Sequence, residues 1–192
     1  MKKELKHLLE HLGTAERANR LRVAGFVLSH PDSFSFLIAF TFDTSYKFHH
    51  KAAWTLELVL EEDLPLLLPH IDQFTGSLHL LTNQSAIRPV AKICKWLAHS
   101  YIKKQNTACI EVLKRNNISQ LVAANFDWLI GEYKVASKAY AMATLYFFGQ
   151  LTTSEFSWIH PELKDTILQN SYKAQPAYLS QGSKIVGLID RK

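Results

Sequence analysis

Apolar residues recur at steps of three and four along nearly the whole chain, and this period limits the possible folds more than any other feature of the sequence. Such a period places apolar side chains along one face of an α-helix, whereas a half-buried strand alternates at every second residue. The best alternation, over 33–36, is brief, and Pro31-Asp32-Ser33 before it is typical of a helix start. The chain is therefore predicted to be all-α.

Short polar, Gly- or Pro-containing breaks divide this pattern into helices. The breaks are Gly13-Thr14, His30-Pro31, Asp63-Leu64-Pro65, Thr82-Asn83-Gln84-Ser85, Asn116-Asn117, Gly131 and Gly149. The predicted helices are 2–12, 14–29, 32–42, 45–61, 64–81, 84–105, 107–116, 118–130, 133–149, 160–171 and 177–189. Because the gaps are short, consecutive helices are expected to pack as antiparallel neighbours. No break resembles an interdomain linker, so residues 1–192 are predicted to form a single domain.

An internal repeat of small and large residues recurs in four segments. The alanines that anchor the segments are Ala24, Ala52, Ala91 and Ala139, at steps of about 28, 39 and 48 residues, and a degenerate fifth copy covers 184–188. Small residues at helical spacing let one helix approach its neighbour closely, and the large residues fill the groove between helix pairs.

One copy of the repeat resembles the second helix of a HEAT repeat. That pattern runs apolar, Arg, two variable positions, Ala and another small residue, and Ile87-Arg88-Pro89-Val90-Ala91 followed by Cys94 matches it. The segment Val135-Ala136-Ser137-Lys138-Ala139 matches less well, since Ala136 stands where the Arg would be. The resemblance implies a right-handed α-α superhelix (solenoid) of about four to five antiparallel helix pairs. A globular helix bundle is the alternative, because small residues at helical spacing occur there too.

Composition and the N-terminus predict a soluble cytoplasmic protein. The chain is 47% hydrophobic and 20% charged, an ordinary globular profile. Its two cysteines, Cys94 and Cys109, form neither a disulfide framework nor a zinc pattern, which favours a reducing compartment. No apolar signal region follows the basic first residues, and no stretch approaches 18 charge-free apolar residues, so no membrane partner is predicted.

Two histidine motifs are candidates for metal binding. His7-Leu8-Leu9-Glu10-His11 has the H-x-x-E-H form of inverted zinc proteases, but zinc needs a third protein ligand, and the leucines predict a short helix that simply docks an apolar face. Adjacent histidines such as His49-His50 point about 100° apart on a helix and do not chelate together. No metal or cofactor is predicted.

Catalytic motifs are absent from the sequence. No serine lies in G-x-S-x-G, no activating group neighbours either cysteine, and no Gly-rich loop could cradle a phosphate. The chain is predicted to be non-catalytic.

A basic stripe on the predicted helix 84–105 is the better candidate for a functional surface. Steps of three and four place its members on one helix face: Arg88, Lys92, Lys95, His99 and Lys103. The opposite face is the expected core side, with Ile87, Ala91, Cys94, Ala98 and Ile102. Lys134 and Lys138 occupy a comparable face one repeat later. In HEAT-like solenoids the second helices line the concave surface, which implies a basic groove for phosphates or acidic peptides.

Structural roles for the same residues are the alternative. The basic stripe would then be a solvated helix face, in which Arg88 stabilises the stacking of repeats. The preceding repeat is acidic, with Glu57, Glu61, Glu62 and Asp63, and this opposes a continuous basic groove. Trp54, Trp96, Trp128 and Trp158 fall about once per repeat, which predicts repeated core packing.

Two further resemblances bear on function. HEAT-like alkylpurine DNA glycosylases use tryptophans and an aspartate on a basic face; the net charge of +5 and Asp127-Trp128 are compatible, but no catalytic residue is carried over. The segments 88–92 and 138–142 also resemble small bacterial proteins, some of which are labelled adenylosuccinate lyase. Lyases of that name are more than twice as long and use a serine loop of the form S-S-x-M-P-x-K, which this sequence lacks.

The sequence therefore predicts a non-catalytic helical-repeat protein that engages a protein or peptide partner along a concave basic face. A nucleic-acid-binding protein of the DNA-alkylation-repair type is the alternative, and a lyase is the least favoured possibility.

Overall fold

The computed structural model describes residues 1–13, 16–172 and 174–191, which form eleven α-helices, three short 3₁₀ segments and no strand. The all-α prediction is confirmed. The α-helices are α1 (Lys2–Glu10), α2 (Arg17–Ser29), α3 (Phe34–Phe42), α4 (His49–Glu62), α5 (Ile71–Ser77), α6 (Gln84–Ile102), α7 (Thr107–Val112), α8 (Arg115–Ile130), α9 (Val135–Phe148), α10 (Ile159–Gln169) and α11 (Pro176–Ile189). The 3₁₀ segments are Pro31–Ser33, Leu64–His70 and Leu78–Leu80.

The predicted helix 64–81 is wrong as a single element. The segment is divided into Leu64–His70, α5 and Leu78–Leu80. Two prolines, Pro65 and Pro69, account for the first division, because proline supplies no N–H and its ring clashes with the preceding turn of an α-helix.

Other predicted boundaries are displaced by three or four residues; the helices predicted over 84–105 and 107–116 end at Ile102 and Val112, and two further differences have a local cause. Residues 45–48 are not helical, and the Asp43 carboxylate accepts a hydrogen bond from the Ser45 N–H at 3.1 Å, which forms a turn before α4. The predicted break at Asn116-Asn117 lies inside α8, where the Asn117 side-chain oxygen accepts from the Lys114 N–H at 2.9 Å. Asn117 therefore helps to begin a helix that it was expected to separate. The predicted start at residue 14 lies outside the described residues.

The chain divides into two compact units, Met1–Ile93 and Cys94–Lys192, and α6 contributes residues to both. The single domain expected over 1–192 stays a prediction. In the first unit α2 packs against α1 and α4, and α3 packs against α4. Ala24 of α2 and Ala52 of α4 are both buried.

The second unit is built around α9, which packs against α8, α10 and α11, while α10 packs against α11. Its core includes Leu121, Leu129 and Met142, and the repeat alanine Ala139 is half-buried. The predicted core side of α6 is confirmed in both units. Four of its members are fully buried and one is half-buried; they are Ile87 and Ala91 in the first unit, and Cys94, Ala98 and the half-buried Ile102 in the second.

Among the described residues, no single helix is long and apolar enough to cross a membrane. The pair Arg17–Ser29 and Pro31–Phe42 reaches the required length and composition only when taken together, and it is bent by 111°.

Candidate functional site

The first part of the basic stripe is engaged by a buried carboxylate from α4. The Glu57 carboxylate accepts from Arg88 Nη2 at 3.1 Å and from Lys92 Nζ at 2.9 Å, and the Glu57 side chain is only 5% exposed. Lys92 Nζ also lies 3.5 Å from Glu61, which pairs with Arg17 at 3.2 Å. A carboxylate removed from water requires such partners, because an unpaired buried charge is strongly unfavourable.

The positive charges of Arg88 and Lys92 are thus largely neutralised by carboxylates of the first unit. The arrangement joins α6 to α4, as does the hydrogen bond from Trp54 Nε1 to the Ser85 carbonyl at 2.9 Å. It agrees with a structural role for Arg88, because the carboxylates of α4 neutralise the first part of the basic stripe.

The second part of the basic stripe contacts aromatic rings. Lys95 Nζ lies 5.6 Å from the centre of the Tyr140 ring, and the His99 ring meets Phe147 edge-on at 5.2 Å. Burial lowers the pKa of His99, and the positive charges of Lys104, Lys95 and Lys103 lower it further. Lys103 is exposed near the end of α6. Within the described residues, neither Lys95 nor Lys103 forms an ion pair.

The net positive charge belongs entirely to the second half of the sequence. Residues 94–192 contain 12 Lys and Arg against 7 Asp and Glu, whereas residues 1–93 contain 10 of each. Two ion pairs in the described part of the second unit, Arg115 with Glu155 and Lys164 with Asp190, leave this excess unchanged, because each joins one positive and one negative charge. The second unit therefore carries the whole net positive charge of the chain.

Lys134 and Lys138 differ in their surroundings although both lie at the start of α9. Lys134 precedes the helix as its N-cap residue and is exposed. Lys138, one turn later, is half-buried, and its Nζ lies 5.9 Å from the centre of the Tyr178 ring of α11. Burial lowers the pKa of Lys138, and the negative charge of Glu132 partly opposes this shift.

Lys138 lines a cavity of about 250 Å³, which we call the Lys138 pocket. Two tyrosine rings and two small apolar residues contribute its apolar lining, and two amides and the ammonium group contribute its polar lining. The residues are Tyr133, Val135, Lys138, Asn170, Ala174, Gln175 and Tyr178. They come from the start of α9, the end of α10 and the start of α11, so the packing of these three helices forms the pocket.

Tyr178 is the most unusual residue of the Lys138 pocket. Its side chain is 3% exposed, yet its hydroxyl has no hydrogen-bond partner among the described residues. Burial raises the pKa of Tyr178, so the phenol keeps its proton at neutral pH and can donate it to an acceptor.

Sequence reasoning identified Lys138 but not the other residues of the Lys138 pocket. Gln175-Pro176 is a recognisable helix start, yet nothing in the sequence places it beside the start of α9. The contact depends on residues about 40 positions apart in the chain, and helical periodicity contains no information at that range.

The histidine motifs form no metal site among the described residues, where no group of three metal-ligating side chains occurs. The rings of His7 and His11 stack at 4.0 Å, and His11 Nδ1 bonds the His7 carbonyl at 2.9 Å. Leu5, Leu9 and Leu12 are fully buried, as expected for a docked helix. His49 and His50 meet edge-on at 6.1 Å.

The cysteines and tryptophans lie in contrasting environments. Burial raises the pKa of Cys94 to about 12 and that of Cys109 to about 11, so neither is a reactive thiolate at neutral pH. The predicted repeated core packing of the tryptophans is wrong for most of them, since Trp128 is a core residue but Trp54 and Trp96 are only half-buried. Trp158 is instead 48% exposed and stacks on Phe126 at 5.4 Å.

Comparison of the chain with protein-family models, with curated proteins and with solved structures finds no match.

Proposed function

We propose that this chain is a non-catalytic helical-repeat binding protein that engages an acidic protein or peptide segment through its second unit. One observation carries the proposal. The excess of positive charge lies wholly in residues 94–192, and Lys95, Lys103, Lys134 and Lys138 form no ion pair within the described residues. Uncompensated lysines on one unit attract and orient an anionic partner.

The HEAT-like part of the proposal is supported by which helices pack together. The repeat segments around Ala24 and Ala52 lie on α2 and α4, which are in contact, and the segments at 138–143 and 184–188 lie on α9 and α11, which are also in contact. Stacked helix pairs require this contact between corresponding helices of successive repeats. In this proposal α2, α4, α6, α9 and α11 are the second helices of five pairs.

The basic residues have two different tasks in this proposal. Arg88 and Lys92 hold Glu57 and stabilise the first unit, so they contribute little to recognition. Lys95, His99, Lys103, Lys134 and Lys138 supply the contacts with the partner. This assignment narrows the seven candidate residues to the five that lie in the second unit.

Fluorescence anisotropy with a labelled acidic peptide tests the proposal. The probe is a 12-residue peptide rich in glutamate, and its matched control has glutamine at each glutamate position. We expect binding of the acidic peptide that weakens as salt rises, because exposed charges are screened beyond about 8 Å at physiological ionic strength. The variant Lys95→Glu plus Lys138→Glu should abolish this binding.

A charge-matched variant in the first unit is the control. Lys3→Glu plus Lys47→Glu makes the same change in net charge at two exposed positions of residues 1–93, and it should retain most of the affinity. Equal losses in the two double variants would refute a surface confined to the second unit. Failure of the acidic peptide to bind in low salt would refute the function itself.

Nucleic acid is the alternative partner, and the same charge excess favours it. Of the 12 basic residues in 94–192, only Arg115 and Arg191 are arginines, and Arg115 is paired with Glu155. Arginine binds carboxylates and phosphates alike, and lysine binds both as a point charge, so a competition experiment is needed to separate the two partner classes. If a 12-nucleotide DNA displaces the acidic peptide and loses affinity in the Lys95→Glu plus Lys138→Glu variant, nucleic acid is the partner class.

A further inference from the structure

The Lys138 pocket holds a positive charge in surroundings that are mostly apolar. Lys138 is the sole cation among its described lining residues. The rest of the wall combines the apolar lining with the two amides described above. Ligand sites in proteins combine such apolar walls with a few converging polar groups that orient the ligand. A single ammonium group balances one negative charge on a ligand.

The hydroxyl of Tyr178 is a second, independent indication of a ligand. Buried hydroxyls nearly always have a hydrogen-bond partner, because desolvation without one costs free energy. Tyr178 lines the pocket, and its side chain is only 3% exposed. Its hydroxyl has no hydrogen-bond partner among the described residues. The hydroxyl is closed to water in this structure, so an oxygen acceptor on a bound molecule would satisfy it after a small shift of the neighbouring side chains.

The start of α11 contributes favourable electrostatics to the same pocket. Gln175 is the N-cap of this 14-residue helix, and both Gln175 and Ala174 line the cavity. The amino-terminal end of a helix carries a partial positive charge and favours anions. Lys138, Tyr178 and the helix terminus therefore all favour a negatively charged oxygen.

We propose that the Lys138 pocket binds a carboxylate attached to a short apolar or aromatic group, with Lys138 and Tyr178 as the groups that recognise the carboxylate. The volume of about 250 Å³ is several times the roughly 30 Å³ that one water molecule occupies in the liquid, so a simple anion would leave most of the pocket unfilled. The C-terminal residue of a peptide and a free organic acid both offer this chemistry. For the peptide source, the inference rests on the proposed function.

Titration of the full chain with benzoate and with its neutral isostere benzamide, followed by amide chemical shifts in NMR, tests this inference. We expect saturable shifts with benzoate around Tyr133, Val135 and Tyr178, and binding of benzamide about tenfold weaker, since one charge-assisted hydrogen bond accounts for such a factor. Equal affinity for benzoate and benzamide would overturn the proposal.

Three variants separate recognition from a merely structural role. Lys138→Gln should weaken benzoate binding about tenfold, whereas Lys134→Gln, at the exposed lysine one turn earlier, should leave it within about twofold. Tyr178→Phe removes the hydroxyl and keeps the ring. Because the hydroxyl is buried without a partner, this variant should resist urea at least as well as the unmodified protein while binding benzoate more weakly. A Tyr178→Phe variant with unchanged affinity would remove Tyr178 from the site.

Competition experiments distinguish the two sources of the carboxylate. A hexapeptide that ends in phenylalanine with a free C-terminus is compared with its C-terminal amide. Displacement of benzoate by the free-ended peptide alone supports a peptide source, and benzoate binding without displacement supports a free organic acid. Displacement by inorganic phosphate at lower concentration than benzoate would overturn the assignment. Loss of acidic-peptide binding in the preceding experiment would remove the proposed function and leave the benzoate result intact.

Discussion

Glu57 shows how one buried carboxylate determines the role of two cations. Its side chain is 5% exposed, whereas the side chains of Arg88 and Lys92 are 37% and 20% exposed. We predict that Glu57→Gln lowers the free energy of unfolding by about 1–3 kcal/mol, since the amide nitrogen cannot accept one of the two hydrogen bonds and the other loses its negative acceptor. Urea denaturation measures the change as a lower midpoint at constant slope.

The neighbouring Glu62 provides a control on the same helix. It is exposed at the end of α4, and Glu62→Gln should change stability by no more than about 0.5 kcal/mol. Lys92→Met, made alone and together with Glu57→Gln, then measures the coupling between the two residues in a double-mutant cycle. Additive effects would show that the interaction between Glu57 and Lys92 contributes nothing to the free energy of unfolding.

The buried thiols predict a loss of stability at alkaline pH. Burial raises the pKa of Cys94 and Cys109 from 9.0 to about 12 and about 11. Above pH 9 the unfolded chain releases these protons while the folded chain keeps them, so the stabilisation is fully present below pH 9 and is lost as the pH rises toward 12. We expect a lower urea midpoint at pH 10 than at pH 8.

Cys94→Ala tests the assignment of this effect, because it should reduce the difference between the two pH values. Iodoacetamide gives a second measurement: at pH 8 both thiols should react far more slowly in the folded protein than in urea. Rapid reaction of the folded protein would contradict the burial of both side chains.

At the scale of elements, the contact between α9 and α10 depends on a glycine. Gly149 ends α9, and a Cβ at this position would lie 2.6 Å from His160 Nε2. The His160 ring cannot withdraw freely, because its Nε2 bonds the Tyr146 carbonyl at 2.9 Å and its ring stacks on Tyr146. Gly149→Ala should therefore destabilise the fold by about 1–3 kcal/mol, measured as a fall in the thermal midpoint.

Gly187 of α11 is the matched control for this substitution. A Cβ there would meet nothing within 4 Å, and the residue lies inside the helix. Gly187→Ala should stabilise the protein by about 0.5–1 kcal/mol, because alanine loses less conformational entropy in a helix. Equal effects of the two substitutions would show that His160 does not restrict the site.

Most helices could be predicted from the sequence because their signals are local. Periodicity and capping residues predict most helix bounds to within a few residues, and the differences at Pro65, Pro69 and Asn117 have local chemical causes. The spacing of the basic residues also predicted that they lie on the face of α6 opposite its buried side. Nothing local indicated that Glu57, more than 30 residues earlier, would neutralise the first two members of the basic stripe.

The Lys138 pocket could not be predicted from the sequence, because it too depends on contacts between residues that are distant in the chain. Lys138 was identified as one of several comparable lysines, and its special character comes from burial against Tyr178 of another helix. Likewise, the excess charge of residues 94–192 can be counted in the sequence, but only the structure shows that these residues form one compact unit.

At the scale of the whole molecule, the two compact units share one helix. Residues 84–93 of α6 supply Ile87 and Ala91 to the core of the first unit, and residues 94–102 supply Cys94 and Ala98 to the core of the second. Unfolding of either unit would expose half of these apolar residues and would end the helix in its middle. Both consequences cost free energy, through lost burial and lost backbone hydrogen bonds.

We therefore predict that the chain unfolds in one cooperative transition, in agreement with a single domain. Calorimetry should give equal calorimetric and van't Hoff enthalpies. A sharper measurement uses Gly149→Ala, whose site lies in the second unit: if α6 couples the units, hydrogen exchange should accelerate in the most protected amides of α4 as well as in those of α9. Two resolved transitions, or faster exchange confined to residues 94–192, would mean that the units unfold separately and that the chain has two domains.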